Sequence, residues 1–277
     1  MKSSDMNVQH SISENYFKKR MNSMIKTQLA SDIHLGYQEQ NFDFPVTDSD
    51  VLILAGDVCV GIRAIEFAQL LADRHEKPVL FVAGNHEYYM NDYLKLHKRF
   101  RDFSDKSENV FFLDCDVFEL EGVRFLGTTL WTDYLLGGHY AQDDLMYVAG
   151  NSLNDHVYIN YGDEGAFKPS HALAIHNKSR AFLEAELAKD HDGKTVVITH
   201  HAPSLRCVHP KFGINKVAGA FMSDCDDLIE MADLWVYGHV HANIDTKVGK
   251  CRLISNQVGY RSEQLDVPYN PDLLIEL

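Results

Sequence analysis

Five apolar runs in this chain end alike, and that repetition limits what it can fold into. "TQLASDIH" closes on Asp32 and His34, "VLILAGD" on Asp57, and "VLFVAGNH" on Asn85 and His86. "VVITHH" closes on His200 and His201, and "LWVYGHVH" on His239 and His241. Unbroken apolar runs suit strands covered on both faces. In open α/β sheets, groups just beyond the strand carboxyl ends gather in one crevice. The pattern therefore predicts one site furnished with Asp, Asn and His from several strands. Gly56, Gly84 and Gly238 stand directly before the polar groups, where a chain turns sharply or approaches a ligand.

Taken singly, these motifs are ordinary. Gly-Asp and Gly-Asn are common turn dipeptides, and a lone Asp-x-His is most often a surface turn. Their joint occurrence at strand ends is what indicates a metal site.

Further strands are expected at 110–113, 117–120, 123–128, 246–248, 252–255 and 273–276. Glu121-Gly122 reads as a hairpin turn. Helices are expected over 62–75, 92–103, 170–189 and 223–231, the last with Ser223 as N-cap and Asp226 at N3. Strands alternate with helices early, and adjacent strands follow, so an α/β layer structure with mixed sheets is expected. Residues 1–25 read as a polar extension and 26–277 as one domain. Within it, 130–168 is polar and poorly periodic, the character of a lid or substrate-side insert.

Composition narrows the function classes. A net charge of −14 disfavours a broad nucleic-acid groove or an anionic membrane surface. No apolar run approaches the roughly 18 residues of a membrane span, and the start lacks a signal-peptide core. The five cysteines are odd in number and scattered, which suits reduced thiols in the cytoplasm.

Carboxylate and amide oxygens mixed with imidazoles suit first-row divalent ions such as Mn, Fe, Zn or Co. The candidate groups exceed what one such ion accepts, so two ions sharing a bridging carboxylate are expected. Paired ions clamp the attacking and leaving oxygens of an in-line displacement at phosphorus. Their charge outweighs Asp32, Asp57 and a bridging hydroxide, which favours an anionic phosphate ester.

Asp32-x-His34, Gly56-Asp57, Gly84-Asn85-His86-Glu87, His200 and Gly238-His239-x-His241 resemble the motifs of the calcineurin-like metallophosphoesterases. The likeness runs from about Lys26 to Leu277 and is nearest to bacterial single-domain members, through "GNHEYY", "GTTLWTDY" and "THHAPS". It implies a four-layer αββα sandwich of two mixed sheets, with a dinuclear centre at the strand carboxyl ends. It puts Asp32, His34 and His241 on one divalent transition metal ion (Mn, Fe or Zn). Asn85, His200 and His239 fall on the other, with Asp57 bridging and His86 as the catalytic histidine. His200 is taken over His201 because similar proteins with H-H-P use the first histidine.

The implied activity is hydrolysis of a small phosphodiester or phosphomonoester by a metal-bridging hydroxide. A nuclease of the same superfamily and a non-catalytic metal-binding scaffold are the alternatives. Protein phosphatases of the superfamily follow Gly-Asp with an Asp-Arg pair; here Val60 and Gly61 stand there, which argues against phosphoproteins.

The other polar candidates carry plainer expectations. Arg63 reads as a solvated helix-start residue, Cys59 as a near-core thiol and His176 as a packing histidine on its helix stripe. Asn154-Asp155-His156 reads as a loop cap, Glu87 as supporting structure. Asp245 is balanced between a surface position and a role orienting a ligand histidine.

Overall fold

The computed structural model describes residues 24–36, 42 and 44–277, so most of the N-terminal extension lies outside the described residues. The strands are β1 (Lys26–Ala30), β2 (Val51–Ala55), β3 (Val79–Val82), β4 (Val110–Phe112), β5 (Asp116–Leu120) and β6 (Val123–Thr128). After these come β7 (Thr195–Thr199), β8 (Leu234–Tyr237), β9 (Asp245–Val248), β10 (Cys251–Ser255) and β11 (Leu274–Glu276). They form one sheet in the order β11-β1-β2-β3-β4 and a second in the order β5-β6-β7-β8-β10-β9.

Both sheets are mixed. β1 to β4 run parallel, and β11 pairs antiparallel with β1 through Thr27 opposite Ile275. β6, β7, β8 and β10 run parallel, with β5 and β9 antiparallel at the edges. Side-chain alternation then builds two cores. Val51, Ile53 and Ala55 of β2 face Val196, Ile198 and Val236 of the second sheet in the inner layer. Leu52 and Leu54, on the opposite face of β2, pack with Ile65, Ala68 and Leu71 of a covering helix. The αββα sandwich follows from that division.

The helices are α1 (Arg63–His75), α2 (Tyr93–Ser104), α3 (Gln142–Ser152), α4 (Asp155–Tyr158), α5 (Pro169–Leu187) and α6 (Asp226–Ile229). Asp92 caps α2 by accepting from Lys95 N. The hairpin at Glu121-Gly122 has left-handed backbone at both positions, as a tight turn between twisted strands requires. Within α5, His176 donates Nδ1–H to Leu130 O and is buried, a packing role. No described helix is long and apolar enough to cross a membrane.

One detail departs from the expected pattern. The last helix is one turn long, with Cys225 at its N-cap position; Ser223 instead accepts a hydrogen bond from Asp133 N. Residues 130–168 contain α3 and α4, and much of their apolar content is buried in the core. Leu145 and Ala149 are the only buried positions of α3, so its apolar stripe is too narrow to announce a helix. Trp131 and Phe167 lie inside, with ring centroids 4.7 Å apart.

Candidate metal centre

The fold brings the carboxyl ends of β1, β2, β3, β7 and β8 together. The loops after β1 and β2 run side by side: Asp32 N donates to Gly56 O, and His34 N to Asp57 O. His239 N donates to both oxygens of Asp32 at 2.9 and 3.0 Å, which joins the two sheets across the crevice. Glu87 ties the β2 and β3 loops together by accepting from Asp57 N, Val58 N and Gly84 N at 2.6–2.9 Å. Burial lifts that carboxyl to about 7 against the pull of these donors.

Asp32, His34, Asp57, His239 and His241 all have left-handed backbone, with φ between 50° and 74°. Such conformations cost on the order of 1–3 kcal/mol each and gather where function requires them. A Cβ on Gly84 would collide with Asp57 Oδ1 and the His200 imidazole, so only glycine fits beneath the site.

The side chains form three overlapping groups, one of them His34, Asp57 and His86. Asp32, His34 and His241 offer one set of ligand atoms, and Asp57, His200 and His239 another. Asp57 belongs to both surroundings: Oδ1 stands 3.4 Å from His200 Nε2, and Oδ2 3.9 Å from His34 Nε2. Asn85 turns Oδ1 toward His200 Nε2 at 3.1 Å. His200 in turn is held through Nδ1 by Ala55 O at 2.9 Å. His201 lies stacked on Trp131 with its ring tilted against that of His239 at 4.1 Å.

This donor set fits divalent ions. His34 Nε2 and His241 Nε2 approach to 3.1 Å, which requires a cation or a shared proton between them. Burial holds His34, His200 and His239 below the ordinary histidine range, the neutral form in which imidazole binds metal. Burial, with the charges of Glu87 and Asp32, pushes Asp57 well above the carboxylate range, so its anion calls for a nearby positive charge. Burial also opposes charge on His241, but bonds from Asp32 and Glu263 outweigh it and lift His241 to about 9.

His86 lies beside these groups, part-exposed, with Nε2 3.9 Å from Asp57 Oδ2. Its ring stacks on Tyr89 at 4.2 Å, and its Nε2 meets Tyr260 OH at 3.2 Å. Burial and the neighbouring imidazoles push it down to about 3. A cavity of about 780 Å3 opens from Asp57, Asn85, His86, His239 and His241.

Three supporting residues lie beyond the motifs. Glu263 Oε2 meets His241 Nδ1, Tyr260 stacks on His34 at 4.4 Å, and Asp155 accepts from Asn85 Nδ2 and Tyr89 OH. Only Asp155 carried any signal, within a polar triplet that reads as a loop cap; Glu263 and Tyr260 lie in an unpatterned C-terminal loop. Asp245 is exposed and pairs with Arg252, so the orienting carboxylate is Glu263 instead. Arg63 is exposed and does not line the cavity. Cys59 is a buried thiol raised to about 12 by burial first and by Glu87.

Two packed mixed sheets with imidazoles and carboxylates at their strand ends are the architecture of a metallophosphoesterase. Residues 26–243 match the calcineurin-like phosphoesterases, and the chain belongs to that family. It is a hydrolase of phosphoric esters. It is 24% identical over 284 residues to the uncharacterized protein L509 of Acanthamoeba polyphaga mimivirus, covering 89% of this chain and 95% of that protein. The crystal structure of the phosphopantetheinyl hydrolase of Mycobacterium tuberculosis superposes with a TM-score of 0.69 at 20% identity, covering 92% and 96% of the two chains. A dimetal phosphatase from Danio rerio gives 0.47 at 14%, over 84% and 87%.

Proposed function

We propose that the protein hydrolyses a small phosphodiester or phosphomonoester with two divalent transition ions. Asp32, His34 and His241 would hold one ion, Asn85, His200 and His239 the other, and Asp57 both. The observation that carries this reading is the division of Asp57, whose two oxygens face separate imidazoles at 3.4 and 3.9 Å. Two bound ions would supply charge neutralisation and an activated water.

The chain's own groups do the remaining work. Asp155 fixes the amide of Asn85 so that its oxygen, not its nitrogen, faces the site. His86 enters as a neutral imidazole and donates a hydrogen bond to the leaving oxygen as negative charge develops there. Glu263 holds His241 in one orientation.

The test is hydrolysis of mono- and diesters by protein reconstituted with Mn, Fe or Zn, beside elemental analysis. The name of the mycobacterial neighbour supplies one ester for that panel, a phosphopantetheinyl ester. Two ions per chain and metal-dependent release of alcohol are expected. Full metal loading with no hydrolysis of any ester would overturn the reading in favour of a non-catalytic scaffold.

A further inference from the structure

The cavity that opens from the metal centre is far larger than a phosphate needs. At about 780 Å3 it falls among pockets that hold whole small molecules. Beyond His239 it runs between residues 152–158 and 208–222. Phe221 begins this passage, stacked on the His239 ring at 4.6 Å. Leu153, Val208, Val217, Met222 and Val240 continue it.

The charges are equally informative. No Lys or Arg lines the cavity among the described residues. Two cations next to lining residues are engaged elsewhere: Lys211 lies over the ring of Phe212, and Lys216 pairs with Asp144. Asp155 and Glu263 are carboxylates beside the metal centre, so a second anionic group close to the phosphate would meet repulsion. Val60 adds an apolar side chain where superfamily protein phosphatases carry an aspartate.

Some of the passage's polar groups are already occupied, while Ser152, Asn154 and Tyr158 also line it. The Asn215 side chain is consumed by its own turn, accepting from Val217 N and Ala218 N and donating to Phe212 O and Gly213 O. His209 Nδ1 accepts from Lys211 N. An aliphatic chain needs no polar partner.

We infer that the passage binds an elongated, uncharged and mainly aliphatic arm of a substrate with a single phosphate ester. The inference rests on the phosphoesterase reading of the adjoining centre. The arm would leave the phosphate beside His86 and pass Phe221 toward a rim where Met90 (76% exposed) and Phe212 (64% exposed) present apolar surface. Burial of that surface supplies the affinity.

Binding of methyl-, butyl- and octylphosphonate to manganese-loaded protein, measured by calorimetry, tests this without turnover. Octylphosphonate should bind at least ~10-fold tighter than methylphosphonate, since each methylene leaving water is worth up to about fourfold. A terminal carboxylate on the octyl chain should remove most of that gain. Phe212→Asp and Met90→Asp, both at exposed rim positions, should lower the octyl-to-methyl ratio. Equal affinities across the series, no binding, or tighter binding of adenosine monophosphate than of octylphosphonate would overturn the inference. Chain-length dependence without hydrolysis of any mono- or diester would leave the arm site standing and sink the phosphoesterase reading. Hydrolysis without chain-length dependence would do the reverse.

Discussion

Glu263 Oε2 lies 2.5 Å from His241 Nδ1, leaving Nε2 of the same ring to face Asp32 Oδ1 at 3.3 Å. A carboxylate behind a histidine fixes its tautomer and orientation, and losing such a partner typically costs about 10–100-fold in metal affinity. Asp155 stands in the corresponding place behind Asn85, at 2.8 Å. Glu263→Gln is therefore predicted to weaken the ion shared by Asp32, His34 and His241, and Asp155→Ala the ion at Asn85. Competitive chelator titration separates the two ions; a uniform loss of both in either variant would contradict the assignment.

Asp57 supports both ions in this reading, so its substitution should act on both. Asp57→Asn is expected to lower total metal content toward zero in one step, whereas His241→Ala should leave one ion in place. Elemental analysis after desalting decides this. A single ion unchanged by Asp57→Asn would remove the dinuclear proposal.

His86 touches Asp57 Oδ1 through its backbone N–H, while its ring faces the cavity. His86→Ala is predicted to retain both ions and lose about 10²–10⁴-fold in rate on an ester with a basic alkoxide leaving group. The loss on a nitrophenyl ester should be much smaller, because a good leaving group departs without help. Equal losses on both would make His86 a general electrostatic stabiliser, and loss of an ion would make it a ligand.

Val60 stands where superfamily protein phosphatases carry the aspartate of an Asp-Arg pair, and Arg63 is exposed and does not line the cavity. Diester hydrolysis is accordingly predicted to be detectable and turnover of a phosphoserine peptide poor. Rapid dephosphorylation of the peptide with no diester activity would reverse this preference.

Asp114, buried between α2 and β6, bears on stability. Burial alone would raise its carboxyl, but His97, Arg101, Lys178 and the Thr128 hydroxyl together hold it below the ordinary range. A carboxyl depressed by folding contributes stability above its unfolded value of about 3.9, and that contribution disappears as pH falls through the folded value. Asp114→Asn should destabilise the protein by about 1–3 kcal/mol at neutral pH. It should also flatten the fall of Tm below about pH 4. Thermal melts across pH show whether the acid limb changes; an unchanged limb would rule out this carboxyl as its source.

The strands and the site motifs were legible because both arise from local patterning. A strand covered on both faces must be apolar throughout, and polar groups can reappear only where it leaves the layer; Val79 to Asn85 carries both signals in seven residues. Ser223 misled because N-cap chemistry is shared with any hydroxyl that accepts a backbone N–H, and here that N–H comes from Asp133, far away in the chain.

What the sequence by itself determined is which groups stand at the strand ends and therefore what chemistry they offer. Only tertiary structure decided how they are held. Glu263 and Asp155 earn their positions through pairings across 22 and 70 residues of chain, and no periodicity records such pairings. The same is true of the cavity, whose walls come from segments 152–158 and 208–222. Local sequence encodes backbone conformation and burial pattern through near neighbours, but a carboxylate behind a ligand and an apolar passage beside it exist only once distant loops pack together.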